Sequence, residues 1–518
     1  MKVSNKGHLT NIRSKYILMH ILNNLELKKT LDLFKYNKKL QKKLKVNLND
    51  YKKCSEEIEI LIEPLKTLEK ESNKFINIEN LNELAYFHIF FDDCKEGEKR
   101  NFLKKNETIS KIKIIIDNKV SSLKGLFKNC DCIESIYFQK FNRKDFNDMS
   151  FMFNKCGKLK KIDFSHFNTS NVKDMGFMFS DCISLKELNL FNFNTDNVED
   201  MKVMFCNCKS LEKLNISSFS TINVTIMSSM FDSCSSLKEL DVSNFNTSNV
   251  EYMNSMFADC ECLKKLNVLN FNTSNVIGMA SMFNNCYMIQ NVNVINFNTS
   301  KVEYMYSMFS NCSSIIKLNL SNFNTANVKY MNNMFEKCSS LKELTVSNFN
   351  TAKVINMKKM FSYCSNLKKL NLTNFNTFFV EDMSFMFEGC SLLNGLNVSS
   401  FNTQNVINMQ GMFYSCSSLE ELNLYNFNTN KVEDMSQMFE GCSSLKRLNV
   451  SNFDTNNVIT MEYIFSGCKS LNELDLTSFN IKKKERSFFN VNHFSTIFKD
   501  CSDELNLKIK VKTFKDFQ

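Results

Sequence analysis

The sequence contains no tryptophan, one proline (Pro64) and 11 glycines among 518 residues. So little proline and glycine argues against a chain punctuated by tight turns or joined by flexible linkers. There are five histidines: His8, His20, His88, His166 and His493. None recurs periodically, and none has an evident acid or nucleophile partner. No glycine-rich phosphate loop, metalloprotease helix or nucleophile elbow occurs. We therefore expect no enzyme, no cofactor and no metal centre. No stretch reaches the roughly 18 consecutive apolar residues that a membrane-crossing helix needs. The apolar run from Tyr16 to Leu22 is short, carries His20 and runs into Asn23-Asn24. It reads as a helix and not as a secretion signal, so a cytoplasmic location with reduced cysteines is expected.

What is abundant is specific. Hydrophobic residues make up 43% of the chain, with 49 Phe, 28 Met and 20 Cys. The net charge of +10 is local, because residues 1–53 hold 14 Lys/Arg against 3 Asp/Glu. The remainder is close to neutral, which does not favour a nucleic-acid partner.

Aligned on the Phe of a recurring Met-Phe pair, the chain advances in steps of 26 residues from Phe127 to Phe465, then by 33 to Phe498. The longer step holds an insertion around Lys482–Arg486. This gives fifteen units, each with a Cys three residues after its Phe, from Cys130 to Cys501. In the unit from Leu237 to Cys260, Leu240 and Val242 alternate with polar residues like a short strand. Phe245-Asn-Thr-Ser-Asn249 forms a corner, where Asn and Ser can bond the local backbone. Val250, Met253, Met256, Phe257 and Cys260 then fall on one face of a short helix. One unit cannot bury both faces, so successive units must stack.

The recurring Asn-Phe-Asn-Thr-x-Asn-Val-x-x-Met-x-x-Met-Phe-x-x-Cys-Ser-Ser-Leu-Lys-x-Leu-Asn resembles the BspA-type leucine-rich repeats, the 26-residue kind of surface protein, over about residues 111–518. The resemblance implies an α/β leucine-rich-repeat solenoid, one parallel strand and one short helix per turn. It also implies an adhesion or interaction protein, with surface exposure an alternative location. We expect three segments: a basic helical N-terminal cap (1–53), a mixed α/β connecting region (54–110) and the solenoid with a degenerate C-terminal cap (111–518). The span Tyr16–Leu40 also resembles an F-box, a helical hairpin that docks a ubiquitin-ligase adaptor. That resemblance supplies an alternative function, substrate recognition for such a ligase.

Packing fixes the framework positions, so partner choice must come from variable ones. One such position lies on the strand face: Glu187, Lys213, Glu239, Lys265, Asn291, Lys317, Glu343, Lys369, Glu421 and Arg447. These are the candidate contacts for a protein partner, and their mixed signs argue against a nucleic-acid track. Asn or Asp beside the strand hydrophobes (Asp241, Asn267, Asn293) reads as a ladder of side chains bonded along the stack. The Cys column is expected to be buried small hydrophobes, since parallel side chains in a line converge on neither zinc nor a disulfide.

Overall fold

Where each backbone N–H finds its acceptor decides the architecture. The structure is a computed structural model. It describes residues 14, 33, 37–44, 56–68, 70–78, 81–92, 94–479, 494–501 and 509–510. The chain divides into two compact units, Met1–Val198 and Glu199–Gln518.

In the second unit most turns begin with a short strand, and these strands pair in parallel with an equivalent one repeat away. Glu239 and Leu240 lie opposite Lys265 and Leu266, and Lys317–Asn319 lies opposite Glu343–Thr345. The strand side chains of Leu240 and Val242 are buried. The corner closes by two short turns, with the Phe245 N–H donating to Val242 and the Val250 N–H to Thr247, at 3.0 and 3.1 Å.

The following arm is not a helix, which corrects the expectation of one per turn. Met253, Ser255, Phe257 and Asp259 donate their N–H groups to the carbonyls of Gly278, Ala280, Met282 and Asn284 on the next turn, at 2.8–3.0 Å. Only the alternate residues close local bonds, three residues back: Met256 to Met253, Ala258 to Ser255 and Cys260 to Phe257. A helix would satisfy all of these groups internally. Here half of them tie the turns together. Two left-handed residues per turn make this possible, Ser255 and Asp259, both at φ 54°. The side-chain face was nevertheless read correctly, since Val250, Met253, Met256, Phe257 and Cys260 are all fully buried. Successive Phe rings stack face to face, Phe231 on Phe257 at 5.7 Å and Phe257 on Phe283 at 5.8 Å. A second stack uses the corner Phe, with Phe271 on Phe297 at 6.4 Å.

The left-handed columns tolerate many residues, but at one site a glycine is required by its neighbour. A Cβ on Gly411 (φ 53°) would lie 2.4 Å from the Phe385 ring, which crosses it from the equivalent position one turn earlier. Gly411→Ala is expected to destabilise the chain by about 1–3 kcal/mol. In the Phe385→Ala background only the left-handed penalty, about 1 kcal/mol, should remain. A double-mutant cycle by denaturant unfolding checks this.

The first unit holds a five-stranded sheet of β1 (Ile58–Pro64), β3 (Phe87–Phe91), β5 (Ile112–Ile116), β6 (Ile133–Lys140) and β7 (Lys161–Asp163) in the order β3-β5-β1-β6-β7. A separate pair, β2 (Ser72–Lys74) and β4 (Phe102–Lys104), is antiparallel. β1 runs antiparallel to both β5 and β6, whereas β6 and β7 pair in parallel with the repeat register. The strand that shields the first parallel pair is therefore antiparallel β1, in place of the expected helical cap. Its alternating burial gives the sheet one packed face, and an open strand edge is satisfied by another strand's hydrogen bonds, which a helix does not offer. β5, expected as the first solenoid strand, belongs to this capping sheet. The solenoid has about 12 turns, fewer than the fifteen sequence units. The F-box-like span lies outside the described residues except for Leu33 and residues 37–40, the last reaching into helix α1 (Lys38–Leu44). The insertion around Lys482–Arg486 also lies outside them.

Candidate partner-binding surface

The turn sorts its polar groups into those consumed by the stack and those left at the surface. The buried Thr of the corner is consumed. Thr377 is fully buried. Its Oγ1 donates to the Asn402 carbonyl and accepts the Asn402 N–H, both at 2.8 Å. Two Asn columns are consumed as well. Asn244 Nδ2 donates to Ile216 and Phe219 carbonyls at 3.1 and 2.7 Å, and Asn249 Nδ2 to the Ile222 carbonyl at 2.7 Å.

The column expected to bond along the stack does not. Asp241, Asn267 and Asn293 each accept the N–H two residues ahead, at 3.0, 3.1 and 3.3 Å. Each turns its own chain at the strand end, as Asx side chains do. The axial bonding falls to Thr247, Asn244 and Asn249, whose recurrence in the repeat was visible but whose direction was not.

The Cys column from Cys130 to Cys468 is buried, and most of its thiols donate to a carbonyl 29 residues back, Cys260 to Phe231 at 3.2 Å and Cys338 to Phe309 at 3.1 Å. Burial pushes these thiols up, Cys338, Cys390 and Cys442 to about 12. The described ladder cysteines are free thiols. Among the described residues no group of His, Cys, Asp or Glu could hold a metal ion. No helix among them is long and apolar enough to cross a membrane.

The strand-face candidates all stand exposed: Glu187 in the first unit, and Lys213, Glu239, Lys265, Asn291, Lys317, Glu343, Lys369, Glu421 and Arg447 in the second. Parallel pairing sets them side by side, so opposite charges meet across turns. Lys265 bonds Glu239 at 2.6 Å, Lys317 bonds Glu343 at 2.7 Å, and Arg447 contacts Glu421. Exposed pairs like these add almost nothing to stability, so they remain available for exchange with a partner. Open depressions lie on this face, one over Glu421, Arg447 and Glu473, another over Glu239, Lys265 and Asn291.

Sequence reasoning passed over the adjacent column. Lys238, Lys264, Lys342 and Lys368 are exposed one residue before the candidates, and none has an ion-pair partner among the described residues. The signal was present as the first Lys of the recurring Leu-Lys-x-Leu, which looks like framework because it repeats.

Parallel strands at a fixed register, a leucine column beneath them and one corner per turn define a leucine-rich-repeat solenoid. The chain belongs to the family described as "Mycoplasma protein of unknown function, DUF285", which matches in overlapping segments 99–213, 184–293, 207–317, 263–370, 305–423, 339–446 and 418–514. No curated protein matches the sequence. Three solved structures are similar at a low level. A leucine-rich repeat protein from Eubacterium ventriosum is 14% identical, with 56% of this chain and 85% of that one covered and a TM-score of 0.26. The functional domain of InlJ from Listeria monocytogenes, which includes a cysteine ladder, is 14% identical, with 70% and 69% covered and a TM-score of 0.19. A chain of the TLR13–ssRNA13 complex is 13% identical with a TM-score of 0.15, and the match covers 65% of this chain and 63% of that one.

Proposed function

We propose that the chain is a non-catalytic, cytoplasmic protein-binding scaffold of the BspA-like kind. Its repeat region, within residues 111–518, meets an acidic protein surface through the strand face, and residues 1–53 and 54–110 are separate segments before it, the second contributing β1 to the capping sheet. One observation carries this reading. Framework polar groups are spent on neighbouring turns, while the charged strand-face column and the unpaired lysines beside it stay in water. Binding groups that cost the fold nothing are what a recognition surface needs.

The test is a fourfold substitution, Lys238, Lys264, Lys342 and Lys368 each to Glu. Its melting temperature should match that of the parent, because none of these side chains is buried or paired. Capture of a native-cell partner by the parent should be lost in the variant and kept when corner residues such as Lys301 are reversed. A partner held equally by parent and strand-face variant would remove this surface from the account.

A further inference from the structure

Glycine stands at one strand-face position where nothing in the fold asks for it. The exposed column that carries Lys369 and Glu421 holds Gly395 on the turn between them. Gly395 does not lie in the left-handed region, and a Cβ there would meet nothing within 4 Å. Neither a turn nor a close neighbour explains it, and glycine weakens a strand. The residue before it is Asn394, and this is the one Asn-Gly pair in the sequence.

Asn394 is exposed, and its side-chain amide makes no hydrogen bond among the described residues. Asparagines of the framework are held. Asn244 and Asn249 donate Nδ2 to carbonyls of the previous turn, and Asn397 keeps its Oδ1 on the Ser399 N–H at 3.0 Å. Asn254, which precedes the small Ser255, accepts the Ala280 N–H at 3.0 Å. The strand ladder is also slack at Asn394. Its N–H reaches the Lys368 carbonyl at 3.3 Å, whereas the equivalent bonds from Lys264, Lys342 and Lys446 measure 2.8–2.9 Å. The strand itself is two residues long, Gly395–Leu396. A free carboxamide, a following residue without a side chain and a slack backbone together let the next peptide nitrogen reach the amide carbon. That attack is what makes asparagine a labile residue.

We propose that Asn394 is a site of spontaneous deamidation through a succinimide, placed on the strand face. The Gly395 nitrogen gives its proton to hydroxide and bonds to Asn394 Cγ. The Cγ–Nδ2 bond breaks, and Nδ2 takes a proton from water and leaves as ammonia, regenerating hydroxide. Water then opens the imide at one of its two carbonyls. Cleavage at Cγ gives aspartate, and cleavage at the main-chain carbonyl gives isoaspartate, which carries an extra methylene in the backbone. The net change consumes one amide and one water and yields one carboxylic acid and one ammonia. Lys368 holds the equivalent position one turn earlier, about 4.8 Å along the stack. The new carboxylate therefore neutralises one of the lysines that the strand-face reading assigns to the partner. That consequence rests on the reading above, whereas the modification does not.

The folded full-length chain would be held in mildly alkaline buffer at physiological temperature and sampled over time. Digestion with a glutamate-specific protease and mass spectrometry then locate the acid, and enzymatic methyl transfer detects isoaspartate. Conversion at Asn394 should outrun that at every other asparagine among the described residues. Gly395→Ala should slow it about tenfold without lowering the melting temperature, since the added methyl enters open space. A synthetic peptide spanning Leu392–Val398 sets the unstructured limit. If Asn394 stays intact in the chain while the peptide converts fully, the fold protects it and the proposal is overturned. Conversion in step with the framework asparagines, or indifferent to Gly395→Ala, overturns it equally. Asn394→Asp, carried into the partner capture described above, should weaken that capture. Unaltered capture, with Asn394 still converting in the parent, would count against the strand-face reading and leave the modification standing.

Discussion

The melting temperature is expected to hold steady from pH 7 to 8 and to collapse between pH 9 and 10. The cause is the thiol column from Cys234 to Cys468. In the fold each of these thiols is buried and pushed above its ordinary value of 9.0, chiefly by burial. In the unfolded chain they ionise near that ordinary value. The folded state therefore holds its protons more tightly than the unfolded state does. Its full stability is present below about pH 9 and is lost as pH rises towards about 12, where Cys338, Cys390 and Cys442 would ionise in place. Each such thiol removes about 1.4 kcal/mol per pH unit inside that window. Ten turns carry one in this column, so the summed slope is on the order of 10 kcal/mol per pH unit. That rivals the whole stability of an ordinary domain, about 5–15 kcal/mol.

Thermal melts at half-unit pH steps in reducing buffer measure this. Replacing Cys338, Cys390 and Cys442 together by Ala should lower the starting stability and make the alkaline slope shallower by about a third. A parent whose melting temperature stayed level to pH 10.5 would exclude a buried thiol column. The same burial predicts that iodoacetamide modifies exposed Cys94 at neutral pH and leaves the column untouched until the chain unfolds.

The period, the strand register and the identity of the buried positions were all legible in the sequence. Repetition supplies them directly: a column of Leu, Val, Met, Phe or Cys that never turns polar must face inward. The path of the backbone between those positions was not legible. The offsets from Val250 to Met253, Met256, Phe257 and Cys260 suit a helix and a chain of three-residue turns equally well. What separates the two is the company at positions 255 and 259. Across the turns these columns hold Ser, Asn, Asp, Gln, Lys, Val, Phe, Tyr and Gly in left-handed conformation, a set joined by backbone demand and not by polarity. The β-cap escaped notice for a related reason. Glu56–Ile62 alternates like a strand, but nothing local says that it lies between β5 and β6. For the surface, variability pointed to the column of Glu239 and Lys265. Regularity concealed the lysines beside it, because a charge that recurs in many units resembles framework.

The corner Thr offers the sharpest contrast between a hydrophobic and a hydrogen-bonded account of the stack. Thr377→Val keeps the shape and adds apolar character at a fully buried site, so burial alone predicts a neutral or stabilising change. The Thr377 hydroxyl, however, closes both backbone groups of Asn402 on the next turn, at 2.8 Å each. Valine leaves that N–H and that carbonyl facing a methyl group, and a buried polar group without a partner costs about 1–3 kcal/mol. Two such groups set the expected loss at about 2–6 kcal/mol for Thr377→Val. Thr377→Ser keeps the hydroxyl and loses one methyl, about 1 kcal/mol. Serine should therefore outperform valine, the reverse of the hydrophobic order. Because each turn contacts only its neighbours, the damage should stay local. Amide hydrogen exchange should quicken at Asn402 and the flanking turns, and denaturant unfolding of the full chain should rank parent, serine and valine in that order. If valine proves as stable as the parent, the Thr column is a packing feature and the corner is held by its phenylalanines alone.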